Sequence, residues 1–262
     1  MQTPPLITSL SNPTVKQVRA LRQHKRRVET GLFLVEGLHH VGEALEAGWD
    51  VDLLLYAPGP VQSGFGGELI ERARERGVPV QTVSASVMES LAGKDNPQGI
   101  LAVVRQRRQG FAALEGAARL AALVSPQDPG NVGAILRTID AVGAGGLAVL
   151  DGGVDPYHPT AVRASMGTLF WKPVAQGSFA DFVLWARGRE IQLIGTSARG
   201  AADYRSAAVR EPWALVLGSE QKGLSAEQMA VCELSLALPM HGRASSLNLA
   251  VAAGILLYSL SG

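Results

Sequence analysis

The chain has 262 residues, 47% of them apolar and 18% charged, with 24 basic and 23 acidic side chains. That much apolar residue excludes a disordered tail. The near-balance of charge excludes a uniformly basic nucleic-acid coat and leaves room for a local basic patch. Cys232 is the one cysteine, so an internal disulfide framework is excluded and a cysteine zinc site is not expected.

The opening MQTPPLITSL lacks a basic segment followed by an apolar run, and no stretch reaches 18 uninterrupted apolar residues. Neither a leader nor a membrane span is expected, and the expected setting is the cytoplasm. Residues 1–27 hold Lys16, Arg19, Arg22, Lys25, Arg26 and Arg27 and no acid. Ser11-Asn12-Pro13 reads as a helix start, a polar cap followed by proline. Val15, Val18 and Leu21 share one face, and Arg19, Arg22 and Arg26 fall on another. Such a basic face is a solvated surface or a phosphate-contacting one; the absence of any acid favours phosphate.

Next come strands at 32–37, 51–58, 79–84 and 100–106, with helices at 39–48 and 68–76 between them. This predicts a small α/β domain over 1–106, followed by a linker at 107–118 with a helical turn. A second alternation fills 119–262. Strands are expected at 120–124, 147–150, 191–197, 213–218 and 234–238, and helices at 130–142, 160–170 and 247–260. Continuous apolar strands alternating with helices predict a mostly parallel sheet covered on both faces.

Several motifs are missing. GAGGLA (143–148) follows a helix and precedes a strand, the reverse of a dinucleotide fingerprint. Gly218 to Gly223 has P-loop spacing, but Leu224 stands where lysine is required. There is no G-x-S-x-G elbow, and the five histidines show no metal-binding spacing.

Three segments at strand ends carry the chemistry. In SPQDPGNVGAILRTIDAVG (125–143), Asn131 and the helix-start amides can face an anion. Arg137 is a surface arginine, a partner of Asp140, or a fixed phosphate clamp. In WALVLGSEQKGLS (213–225), Glu220 lies between two glycines, as a turn carboxylate or a working one. In LALPMHGRASSLNLAVAAGILLY (236–258), Ser246 is the expected helix cap, and Asn248 needs a specific partner.

In this order the three segments resemble the motifs of the SpoU/TrmH family of RNA ribose 2′-O-methyltransferases, in the SPOUT superfamily. DPYHPTAVRASMGTLF (155–170) is similar to the family's intermotif helix, with Arg163 among its residues. The front segment is similar to the family's ribosomal-protein-like RNA-binding domain. The resemblance implies an α/β chain made of a small N-terminal α/β/α domain and a C-terminal SPOUT domain with a trefoil knot.

It further implies S-adenosylmethionine as cofactor, held near Gly218, Leu238, Met240 and Leu247. Asn131, Arg137, Glu220, Ser246 and Asn248 become the catalytic cluster, and Lys16, Arg19, Arg22, Lys25, Arg26, Arg27 and Arg163 the RNA contacts. A homodimer is implied, with no metal and no membrane partner. Ribosomal RNA is favoured over transfer RNA because of the front domain. The alternatives are a transfer-RNA 2′-O-methyltransferase, a base-nitrogen methyltransferase and a non-catalytic RNA-binding or assembly factor.

Overall fold

The computed structural model describes residues 5–59, 61, 64–93, 98–197, 202–205 and 207–261. The first four residues of the segment read as lacking a leader lie outside these. The chain divides into two compact units, 1–107 with 157–170, and 108–156 with 171–262. The division falls at the start of the expected linker, but one segment of the second half belongs to the first unit.

In the first unit, α1 (Pro13–Ala20) starts on Asn12, whose Oδ1 accepts from the Thr14 amide at 2.9 Å. The basic helix then breaks, and α2 (His24–Thr30) follows as a separate piece. The order continues β1 (Leu32–Glu36), α3 (Leu38–Glu46), β2 (Val51–Tyr56), α4 (Gly64–Glu75), β3 (Val80–Thr82), α5 (Ala85–Leu91) and β4 (Ile100–Arg105). The strands lie in the order β1-β4-β2-β3; β4 is antiparallel to both neighbours, and β2 and β3 are parallel.

Val15, Val18 and Leu21 pack with Val87, Met88 and Leu91 of α5 against Leu34, Leu55 and Val103 of the sheet. The apolar face read from the sequence is therefore the face that is buried. Segment 157–170 joins this unit through an aromatic cluster of Phe33, Trp49, Tyr157 and Phe170. Trp49 Nε1 donates to the Phe170 carbonyl at 2.9 Å, and Tyr157 Oη donates to the Arg107 carbonyl at 2.6 Å. The expected helix at 160–170 is shorter. It runs as α7 (Pro159–Ala164) and stops where Met166 and Gly167 take φ of +50° and +92°. A Cβ on Gly167 would sit 2.7 Å from Glu43 Cγ, so both the backbone angle and the close approach require glycine.

The second unit contains β5 (Arg119–Val124), α6 (Pro129–Ala141), β6 (Gly146–Leu150), β7 (Val174–Gly177), α8 (Phe179–Arg187), β8 (Gln192–Thr196), β9 (Ala202–Asp203), β10 (Trp213–Leu217), α9 (Ala226–Ala230), β11 (Leu234–Ala237) and α10 (Leu249–Ser261). Its seven strands are all parallel, in the order β7-β6-β5-β10-β8-β11-β9. Leu120, Ala122 and Val124 share a core with Phe182, Val183 and Ala186 of α8. The alternate strand residues face the other way, where α6 and α10 pack on each other and on β6 and β10. This is the two-sided burial that continuous apolar strands predict. Among the described residues no helix is long and apolar enough to cross a membrane.

Candidate active site

The central strands β5 and β10 both end on short loops. Gln127 and Asp128 turn the chain into α6, which Asp128 caps with Pro129 at its first position. After β10, Gly218 admits a very close return of the chain: a Cβ there would lie 2.0 Å from the Gly223 carbonyl carbon. Only glycine fits.

Glu220 sits in that return and holds the neighbouring loop. Its Oε2 accepts from the Gln127 amide at 2.9 Å, and its Oε1 accepts from the Asp128 amide at 3.1 Å and from Asn131 Nδ2 at 2.9 Å. Partial burial pushes its carboxyl up, but the bonds from Asn131 and the backbone amides outweigh this, and the net position is below the ordinary value of 4.5. Glu220 is thus a fixed anion and a poor proton acceptor. Asn131, itself buried, accepts at Oδ1 from Asn248 Nδ2 at 2.9 Å.

Asn248 Oδ1 accepts from the amides of Ala250 and Val251 at 2.9 and 3.3 Å. Asn248, rather than Ser246, caps α10. One line of hydrogen bonds, Glu220–Asn131–Asn248, therefore ties together all three segments singled out in the sequence.

Two hollows meet at this line. The first, about 540 Å³, is lined by Gly218, Leu238, Met240 and Leu247 together with Thr196 and Ser197. The second, about 690 Å³, is lined by Gln127, Asp128, Asn131, Glu220, Ser246 and Asn248. Ser246 borders both, and its hydroxyl makes no hydrogen bond among the described residues. The first hollow falls in the size range of small-molecule sites and is walled by leucines and loop backbone, which suits a flat, partly apolar ligand. Thr196 and Ser197 were not anticipated from the sequence. Their signal is position: polar residues at the end of an apolar parallel strand.

Arg137 is exposed on α6 and lines neither hollow. It lies six residues beyond Asn131, about 120° around the helix and about 9 Å along it. It forms no hydrogen bond or ion pair among the described residues, and Asp140 pairs instead with Lys172 at 3.4 Å. No group of three or more His, Cys, Asp or Glu side chains among the described residues could hold a metal ion.

The expected RNA contacts separate. Arg27 is 1% exposed, and its Nη1 donates to the carbonyls of Leu21 and Arg22 at 3.0 and 2.8 Å. It braces the break between α1 and α2, so its expected RNA role is corrected to a structural one. Arg19 donates to Ser90 Oγ, and Arg22 to the Leu91 carbonyl. Lys25 and Arg26 share Glu29 on the surface, and Lys16 is exposed. Arg163, on α7, lies within the first unit.

The SpoU rRNA Methylase family matches residues 119–258, and an MRM3-like substrate binding domain matches 12–102. A 23S rRNA (guanosine(2553)-2′-O)-methyltransferase, RlmP of Bacillus subtilis, is 31% identical, covering 98% of this chain and 99% of its own. A 23S rRNA (uridine(2479)-2′-O)-methyltransferase of Streptomyces viridochromogenes is 33% identical, over 94% of this chain and 88% of its own. A solved rRNA methyltransferase from Sinorhizobium meliloti, with AdoMet bound, superposes with a TM-score of 0.89 at 37% identity, over 97% of this chain and 96% of that one. With its three motifs joined at one site and its length matched from end to end, the chain belongs to the SpoU rRNA methylase family.

Proposed function

We propose that this chain is an RNA ribose 2′-O-methyltransferase acting on ribosomal RNA. S-adenosylmethionine occupies the hollow behind Gly218, Leu238, Met240 and Leu247, and the target ribose occupies the adjoining cleft. The observation that carries this reading is the shared wall. Ser246 and Glu220 border both hollows, so a methyl donor in one faces an acceptor in the other.

When bound, S-adenosylmethionine supplies an electrophilic sulfonium methyl. The chain's own residues supply position. The Glu220–Asn131–Asn248 line fixes the two loops and the start of α10, and the Ser246 hydroxyl hydrogen-bonds the ribose 2′-oxygen. None of these groups is a strong base. Glu220 is held as a stable anion. Arg137, exposed and outside both hollows, is left to contact an RNA phosphate by charge, and the proton of the 2′-oxygen passes to water.

Family membership also supports a homodimer, a knotted C-terminal segment and a cytoplasmic setting, and these belong to the same proposal. Val251, Ile255 and Tyr258 form an exposed apolar stripe on α10, at helical spacing, that a second copy would cover.

Calorimetric titration of S-adenosylmethionine into the wild type and Asn248→Ala tests the cofactor, and mapping of 2′-O-methyl sites in ribosomal RNA incubated with each tests the reaction. Binding and a single new methylated ribose, both weakened in the variant, are expected. No binding in the presence or absence of ribosomal RNA would overturn the proposal.

A further inference from the structure

A third hollow, of about 470 Å³, lies wholly within the first unit and takes no part in the site above. Its floor is apolar, made of Leu34, Leu91 and Val162. Its rim is charged. A point at the Cβ position of Gly93 lies 3.4 Å from Glu36 Oε2, 3.7 Å from Arg22 Nη2 and 4.0 Å from Arg163 Nη2. Two guanidinium groups thus converge beside one carboxylate.

Glu36 Oε2 accepts from the Gly93 amide at 2.9 Å, which fixes the carboxylate at the rim, where its single charge offsets one guanidinium and not both. Arg22 is held in place by its bond to the Leu91 carbonyl at 2.6 Å. The Arg163 guanidinium is half-buried and has no hydrogen bond or ion pair among the described residues. A partly desolvated arginine beside a second arginine is unfavourable unless an anion joins them. Among the described lining residues, Arg22, Arg163 and Glu36 sum to one positive charge, which matches the single negative charge of a phosphodiester.

The remaining surface fits the rest of a nucleotide. The apolar side chains of Leu34, Leu91 and Val162 offer contact for a base, and Gln98 also lines the hollow. A bare inorganic ion would leave that floor empty. A base splayed out of a loop fills it, as single-stranded RNA targets allow.

We propose that this hollow binds one unpaired nucleotide of the RNA substrate. Its phosphodiester lies between Arg22 and Arg163, and its base lies on Leu34, Leu91 and Val162. The inference rests on the methyltransferase proposal for the identity of the RNA, and it makes the first unit a reader of one splayed nucleotide rather than only a basic surface. Arg163 is the telling position, because its guanidinium has no hydrogen bond or ion pair among the described residues.

The test uses the full-length chain with two readouts. In the first, filter binding of transcribed 23S ribosomal RNA is measured against salt for the wild type and Arg163→Gln, with the S-adenosylmethionine affinity of each as control. The variant should bind the RNA roughly ten-fold more weakly and flatten the log–log salt slope by about 0.7, the value for one single-strand phosphate contact. Its cofactor affinity should stay within about two-fold. Equal RNA affinity and equal slope would overturn the proposal.

The second readout is independent of the catalytic reading. Adenosine and guanosine 5′-monophosphates are titrated while the imidazole resonances of His39 and His40, which also line the hollow, are followed by NMR. A saturable shift in the wild type that Arg163→Gln abolishes supports the site, and no shift with either nucleotide overturns it. Failure of S-adenosylmethionine to bind in the control would count against the methyltransferase proposal, and the nucleotide titration would still decide the fate of this hollow.

Discussion

Replacement of Glu220 by glutamine tests how the site is held. The carboxylate accepts three hydrogen bonds, from the Gln127 amide on one oxygen and from the Asp128 amide and Asn131 Nδ2 on the other. Glutamine keeps one acceptor oxygen. Its best pose retains Asp128 and Asn131 and turns an NH₂ towards the Gln127 amide, donor against donor. One charge-assisted bond is lost. Such bonds contribute about 1.5–3 kcal/mol when shielded, and the partial exposure of Glu220 brings the expected loss down to about 1–2 kcal/mol.

The loss should depend on pH in a set direction. The Glu220 carboxyl is held below 4.5 in the folded chain, so its contribution is present above that value and fades as pH falls through the lower folded one. Urea unfolding followed by tryptophan fluorescence reads mainly the second unit, which holds three of the four tryptophans, Trp171, Trp185 and Trp213, with Trp49 in the first. With a slope of about 2 kcal/mol per molar urea, the midpoint of Glu220→Gln should fall by about 0.5–1 M at pH 7. The gap should close as pH drops below 4.5. Equal midpoints at pH 7, or a gap that persists undiminished in acid, would refute the account of Glu220 as an anionic clamp.

Other outcomes follow from single contacts. Gly218→Ala forces a methyl to within 2.0 Å of Gly223, so the loop must move, and calorimetry should show S-adenosylmethionine affinity at least about ten-fold weaker. Arg27→Met keeps the apolar stem and leaves the Leu21 and Arg22 carbonyls unpaired. Thermal unfolding should report about 2 kcal/mol of lost stability in the first unit, with the cofactor affinity of the second unchanged. Ile255→Glu places a charge in the apolar stripe of α10; light scattering should find a dimer in the wild type and a monomer in the variant. The Cys232 thiol, pushed up to about 11 by burial, should resist alkylation at pH 8 in the native chain and react once urea unfolds it.

Most of the parallel sheet was legible from the sequence, because its central strands are buried on both faces and read as apolar runs. LAALV and WALVL are found where they were expected, as β5 and β10. The misses have physical reasons. The strand β7, VAQG, is four residues long and half polar, too short for a pattern. Helix α8 lies outside the expected elements, although Ser178 three residues before Asp181 is a start signal and the Ser178 hydroxyl does cap it. Helix α5, behind its Ser84 cap, is likewise outside the expected elements. The helix expected through 160–170 was cut short by backbone angles at Met166 and Gly167 that periodicity does not report. Ser246 was the local favourite as a cap, but Asn248 has the reach to bond two helix amides and Asn131 together.

By itself, then, the sequence determined the α/β alternation, the strands with unbroken apolar runs and the three loops that carry the polar residues. Each of these is a local pattern, set by periodicity, capping and turn chemistry. Which of those polar residues meet was decided only in the folded chain. The bonds joining Glu220, Asn131 and Asn248 span 89 and 117 positions, and no local rule measures such distances. The same holds for the arginines. Arg27 is a buried brace, Arg163 faces a hollow of the first unit, and Arg137 stands apart on the surface, yet along the chain all three read alike as basic residues. Packing separates them, because a guanidinium's role is set by whether carbonyls, another cation or water surrounds it.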